Sequence, residues 1–163
     1  MRKILLYLIL FLAIAGAVDA GYLLVETMRG AAVVCPNVPV GRFNLNQCNI
    51  VLSSSYAKFL GLPTALYGFV VYLVFFILIL YEIKKHVYYE SYSIQNKQIR
   101  WRPTKILTGL SGVGVLISAY FVYLQFFVID ALCFYCLVSV AIMTLIFILS
   151  AVYNFKYSAV EGT

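Results

Sequence analysis

Four long apolar runs, separated by polar stretches, organise this chain. The first covers about residues 4–25, behind Arg2 and Lys3, and is long enough to cross a bilayer. Val18-Asp19-Ala20 has the small residues of a signal-peptidase site. The apolar character nevertheless continues through Gly21-Tyr22-Leu23-Leu24-Val25, so the run is read as a span. The other runs cover about residues 64–81, opening next to Pro63 where proline is tolerated, then 105–129 and 131–153. A mostly polar loop, about 29–62, joins the first two and holds Cys35-Pro36, Pro39, Gly41 and Cys48. Within it, from about Asn49 to Leu60, Ile50, Val51, Ala57 and Leu60 are interspersed with serines and Lys58. That pattern predicts a short amphipathic helix lying on the membrane surface, stopped by Gly61 and Pro63. A second polar loop, about 82–103, joins the second and third runs.

Composition agrees with a membrane solvent. The 163 residues are 64% hydrophobic and only 11% charged, with a mean hydropathy of +0.96, which no soluble domain of this size shows. In hydrocarbon every backbone polar group must be satisfied internally, so the runs are helices. The expected architecture is an all-α integral membrane protein with one domain over residues 1–163. It is a bundle of four transmembrane helices with a short amphipathic interfacial helix in the first extracytoplasmic loop.

Charge sets the orientation. Arg2, Lys3, Lys84, Lys85, Lys97, Arg100, Arg102, Lys105 and Lys156 share one side of a four-span chain, while the other holds only Arg29, Arg42 and Lys58. Positive residues mark the cytoplasmic side, so both termini and the 82–103 loop are cytoplasmic and the 29–62 loop is outside. The net charge of +6 is thus explained by topology, and no nucleic-acid partner is expected.

All four cysteines then face the compartment in which disulfides persist: Cys35 and Cys48 in the outer loop, Cys133 and Cys136 at the head of the fourth run. Cys133-Phe134-Tyr135-Cys136 would sit in the first turns of that helix, with Asp130 as its cap. Orphan amides and the helix dipole there favour a thiolate. A mobile pair and a fixed pair can pass two electrons by thiol–disulfide exchange. The fixed pair lies at the membrane interface, where a lipid-soluble two-electron acceptor such as a quinone can reach it. Zinc is the rival use of four cysteines, but its usual sites pair two Cys-x-x-Cys units, and Cys35 and Cys48 are far wider apart, so no metal is expected. His86, the single histidine, lies in a charged loop, so the chemistry must do without a histidine base. Asp19 is costly against lipid and is expected to face the bundle. The small residues Thr108/Gly112 and Gly114/Ser118 are expected to let helices approach, and Tyr120 and Tyr123 to pack.

The residues Cys48-Asn49-Ile50-Val51-Leu52-Ser53-Ser54, then Gly61-Leu62-Pro63 and Gly68, then Cys133-Phe134-Tyr135-Cys136 resemble the vitamin K epoxide reductase family over nearly the whole chain. The resemblance implies a four-helix bundle around a quinone of menaquinone or ubiquinone type, capped by the loop helix. Prokaryotic members oxidise a thioredoxin-like partner and reduce the quinone. Carried over, Cys35 would meet the partner, Cys48 would pass electrons to Cys133, and Cys136 would be the thiolate facing the quinone. Ser54 would point its hydroxyl towards the quinone region or the cysteines; otherwise it makes a local helix hydrogen bond. Epoxide-reducing animal members carry an asparagine and a tyrosine where this chain has Thr64 and Val140, so epoxide reduction is not the expected reaction. The alternatives are that vitamin-K-type quinone or epoxide reductase activity, or a non-enzymatic four-span adaptor or metal-binding protein.

The orientation predicts that a membrane-impermeant maleimide, applied to intact cells after reduction, labels Cys35 or Cys48. In a cysteine-free background, His86→Cys should be labelled only after the cells are opened. Labelling at position 86 in intact cells would reverse the topology.

Overall fold

The computed structural model describes residues 2–40, 43–91 and 103–158. Gly41, Arg42, Lys97, Arg100 and Arg102 lie outside them, as does the side chain of His86. Four long helices form the bundle: α1 (Arg2–Arg29), α3 (Thr64–Ser91), α4 (Pro103–Phe127) and α5 (Phe134–Ser158). Each is long and apolar enough to cross a membrane, over Lys3–Arg29, Thr64–Lys84, Lys105–Phe127 and Phe134–Lys156. The protein is a helical membrane bundle, as its hydropathy requires.

The helices outrun the apolar segments that announce them. The helix α3 passes Tyr81 and continues to Ser91, because the stretch from Glu82 onwards contains neither glycine nor proline to stop it. Much of the expected 82–103 loop is therefore helix. At the other end of the first span, α1 stops at Gly30, whose φ of +66° suits glycine. Ala31 N–H donates to Glu26 O (3.1 Å) and Gly30 N–H to Thr27 O (3.3 Å), which closes the last turn with the paired bonds of a Schellman motif.

The loop from Ala31 to Pro63 is more irregular than expected. Two-residue antiparallel ladders pair β1 (Pro39–Val40) with β2 (Phe43–Asn44) and β3 (Lys58–Phe59) with β4 (Leu62–Pro63). Between them, α2 spans only Cys48–Ser53. The helix predicted over Asn49–Leu60 thus ends early, and the serines explain why. Ser53 Oγ donates to Ile50 O (3.3 Å) and Ser54 Oγ to Val51 O (2.7 Å). These local bonds compete with helix continuation, and Ser54 turns extended with ψ 154°. Ser55–Ala57 then makes a single tight turn before β3.

Helix α1 packs against α3 and α5, and α4 packs chiefly against α5. The main core gathers Leu6, Ile9, Tyr72, Phe75, Leu107 and Ile146. Glycines allow the closest approaches. A Cβ at Gly16 would fall inside the Tyr72 ring, Gly112 receives Phe147, and Gly114 receives Met143. The small residues of α4 therefore serve packing against α5. Tyr120 and Tyr123 are exposed on α4, the latter stacked on Phe127 with centroids 5.1 Å apart.

Gly16→Ala should push the Tyr72 ring out of its seat and cost about 1–3 kcal/mol, as overpacking does. Thermal unfolding in detergent should show a lowered midpoint; an unchanged midpoint would mean that α1 and α3 can separate at no cost.

Candidate functional site

Three consecutive amides lead into α5, and each finds an acceptor from another part of the chain. Leu132 N–H donates to Gln47 Oε1 (3.3 Å), Cys133 N–H to Gln125 Oε1 (3.1 Å), and Phe134 N–H to Leu45 O (3.3 Å). Asn46 and Cys133 form an isolated antiparallel bridge. Groups that a helix start would leave orphaned are thus satisfied by the loop and by α4. The consequence is positional: Cys48 follows Gln47 directly, and Cys48 and Cys133 share one small buried cluster with Leu23, Val33, Val51 and Ala131. The three acceptors, Gln47, Gln125 and Leu45, all lie outside the motifs that marked the cysteines. Gln125 is nevertheless conspicuous in the sequence as a polar residue inside an apolar run, and it is buried.

Cys35 and Cys48 form a disulfide, with Cα atoms 6.3 Å apart. Cys48 is fully buried and Cys35 half-buried, so Cys35 is the outer sulfur. The segment before Cys35 is clamped by Asn49, whose Oδ1 accepts from Val33 N–H (2.8 Å) and whose Nδ2 donates to Val33 O (3.4 Å). Tyr135, inside the Cys-x-x-Cys, donates its hydroxyl to Val34 O (3.3 Å) and packs on Tyr22 with ring centroids 5.2 Å apart. The two cysteine pairs are therefore tied together through both members of the outer pair.

Cys133 and Cys136 are free thiols. Helix α5 begins at Phe134, so Cys133 immediately precedes it and Cys136 lies in its first turn. Asp130 is not the cap that the sequence suggests. It adopts φ +53°, the left-handed conformation that aspartate tolerates, and reverses the chain after α4. Cys133 occupies the capping place: its Sγ accepts Cys136 N–H at 3.3 Å, as a cap oxygen would. Cys136 Sγ also donates to Cys133 Sγ at 2.7 Å. The Cys136 thiol hydrogen bond, assisted by that backbone amide, holds the Cys133 thiol below its ordinary pKa although burial opposes the shift. Of the two thiols, Cys133 is therefore the one favoured as an anion, with Cys136 as its hydrogen-bond donor.

Ser54 is half-buried at the end of α2, its hydroxyl committed to Val51 O. Asp19 faces inward: Ser139 lies against its carboxyl, and Oδ2 is buried without a hydrogen-bond partner. Tyr72 donates its hydroxyl to Ser139 O (2.9 Å) and lies 3.1 Å from Ser139 Oγ. Ser139 is one turn beyond Cys136 on α5, so this polar group adjoins the cysteine pair.

A sequence model of the Vitamin K epoxide reductase family matches residues 7–151, from the first span to the fourth. No curated protein matches the chain.

With the outer disulfide intact, only Cys133 and Cys136 titrate as thiols. Thiolate absorbance should appear at lower pH in the native chain than in Cys136→Ala, because the variant loses the donor that stabilises the Cys133 anion. A midpoint that is unchanged, or lower in Cys136→Ala, would remove Cys133 from the role of favoured thiolate.

Proposed function

The chain belongs to the vitamin K epoxide reductase family of membrane thiol oxidoreductases, and on that premise we propose that it oxidises the thiols of a separate thioredoxin-like partner and passes the electrons to a membrane quinone. The observation that carries this reading is the docking of the Leu45–Gln47 segment on the start of α5, which sets Cys48 beside Cys133 while Cys35 remains outermost. Partner thiolate attacks the Cys35–Cys48 disulfide at the more accessible sulfur, Cys35, and releases Cys48. Cys48 then attacks an oxidised Cys133–Cys136 pair at Cys133, and Cys136 leaves as a thiolate that takes up a proton as the pair is reduced. The partner's second thiol attacks the partner–Cys35 mixed disulfide, so the partner leaves oxidised and Cys35 is freed. Cys35 then resolves the Cys48–Cys133 bridge, which restores the outer disulfide and leaves the inner pair reduced.

Bound beside the reduced pair, a quinone of menaquinone or ubiquinone type supplies a two-electron acceptor confined to the bilayer. The residues present suit it. Apolar helices surround the half-buried Cys136, and the orphaned Asp19 Oδ2 with the Ser139 and Tyr72 hydroxyls offers polar partners for a ligand oxygen. Cys136 and Ser139 would flank it. Ser54 reaches the acceptor only if its hydroxyl leaves Val51 O. The lysine and arginine distribution puts the cysteine end of the bundle on the extracytoplasmic side, where such a partner would be found.

In lipid vesicles, reduced thioredoxin-like protein and a short-chain benzoquinone should yield oxidised protein and quinol only when this chain is present. The double variant Cys35→Ser/Cys136→Ser cannot resolve the central intermediate and should accumulate the Cys48–Cys133 bridge. With a protease site inserted between residues 92 and 102, the cut halves should migrate together without reductant and separately with it. Halves that separate without reductant, in a sample shown to be oxidised, would sink the relay.

A further inference from the structure

The cysteine chemistry leaves two buried carboxyls of membrane-spanning helices unused, Glu82 near the end of its span and Asp19 near the cysteine pair. Asp19 lies within the Lys3–Arg29 span, and its Oδ2 is buried with no partner. Ionisable residues at such depth are costly and mark ion or proton pathways more often than packing. Its surroundings are specific. From α5, Ser139 lies against the carboxyl, and from α3 Tyr72 meets Ser139 through its hydroxyl. The titratable groups near enough to feel its charge are Tyr72 from α3, Tyr135 and Cys136 from α5, and Cys133 just before α5. No cation faces it among these groups. The Asp19 charge is felt at both sulfurs, so a carboxylate and a Cys133 thiolate repel each other across a low-dielectric interior.

We infer that Asp19 is the proton-exchanging group of the inner cysteine pair, holding the proton that Cys133 gives up and releasing it when the Cys133–Cys136 disulfide forms. The inference rests on the quinone-linked reading above. One negative charge is then shared by the carboxyl and the two sulfurs in every state. In the dithiol form it sits on Cys133, Cys136 keeps its proton, and Asp19 is protonated. On oxidation the Cys133–Cys136 bond forms and two electrons leave to the quinone. One proton comes from Cys136 and one from Asp19, giving quinol, and the charge moves to the carboxylate. When Cys48 later returns two electrons to the pair, Asp19 takes up a proton again. Ser139, between Asp19 and the turn that bears Cys136, is the hydroxyl through which that proton can pass, and Tyr72 fixes its orientation.

The test uses the full chain in lipid nanodiscs, carrying Cys35→Ser and Cys48→Ser so that only the inner pair changes state. Infrared difference spectra are taken between the dithiothreitol-reduced and diamide-oxidised forms, with no quinone present. A protonated-carboxyl band should be lost on oxidation, be absent in Asp19→Asn, and persist at a shifted frequency in Asp19→Glu. A spectrum without a carboxyl change, or a change retained in Asp19→Asn, overturns the inference whether or not any variant is unstable. In a second arm, with the outer cysteines intact, Asp19→Asn should slow reduction of a short-chain benzoquinone about a hundredfold, within the range of general acid–base effects. Asp19→Glu should recover most of that rate, and the pH dependence of the native rate should be lost in Asp19→Asn. An Asp19→Asn rate and pH profile equal to the native ones also overturns it. If the native chain fails to reduce benzoquinone at all, the quinone reading falls, and the infrared result decides Asp19 by itself.

Discussion

The site depends on an accounting constraint at the entrance to α5. A helix start exposes amides without intrahelical acceptors, and here that start is packed against other parts of the protein instead of facing water. Leaving a buried amide unmatched costs about 1–3 kcal/mol, so Leu132, Cys133 and Phe134 each recruit an acceptor: Gln47, Gln125 and Leu45. Two of the three come from the loop that bears the outer cysteines. Satisfying the backbone and bringing Cys48 to Cys133 are therefore one event. The loop cannot drift from the bundle without orphaning the amides, which places the thiol pairs together without a long helix in the loop.

The same helix start selects between the two inner sulfurs. Cys133 stands where a serine or aspartate would cap, and takes both the Cys136 amide and the Cys136 thiol hydrogen bond. Two chemically identical residues three apart thereby acquire different tasks, one favoured as anion and one as proton donor. Lower in the bundle, Asp19, Ser139 and Tyr72 form a polar group in an apolar interior, made possible because Gly16 leaves room for the Tyr72 ring. Hydrocarbon strengthens whatever electrostatics remains inside it, so a single carboxyl next to a thiolate-forming pair has consequences that it would not have at a wet surface.

Much of this was legible in the chain. Hydropathy requires four helices, because hydrocarbon admits no other open arrangement of backbone. Cysteine spacing divides the thiols into a wide pair and a tight one, and the carboxyl in the first run reads as inward-facing because lipid would not take it. What misled the reading was local. The run from Asn49 to Leu60 has the period of an amphipathic helix, yet Ser53 and Ser54 end it at Ser53 by bonding to its own carbonyls. Asp130 has the composition of a cap, but the end of α4 uses it to reverse the chain. The polar stretch after Tyr81 looks like loop, and helix continues through it to Ser91 since nothing stops it.

By itself, then, the sequence determined the solvent, the number of spans, the candidate redox residues and the family, all of which follow from composition and short-range spacing. Tertiary structure alone decided which amide each glutamine serves, which cysteine of the Cys-x-x-Cys caps the helix, and that Asp19 meets Ser139 and Tyr72. These depend on contacts between distant positions, such as Gln47 and Leu132, 85 residues apart, or Asp19 and Ser139. A hydropathy pattern specifies which face of a helix is buried, but it does not specify the register in which a loop docks on a helix end. That register is set by matching each buried donor to one particular acceptor, and only the folded chain brings them together.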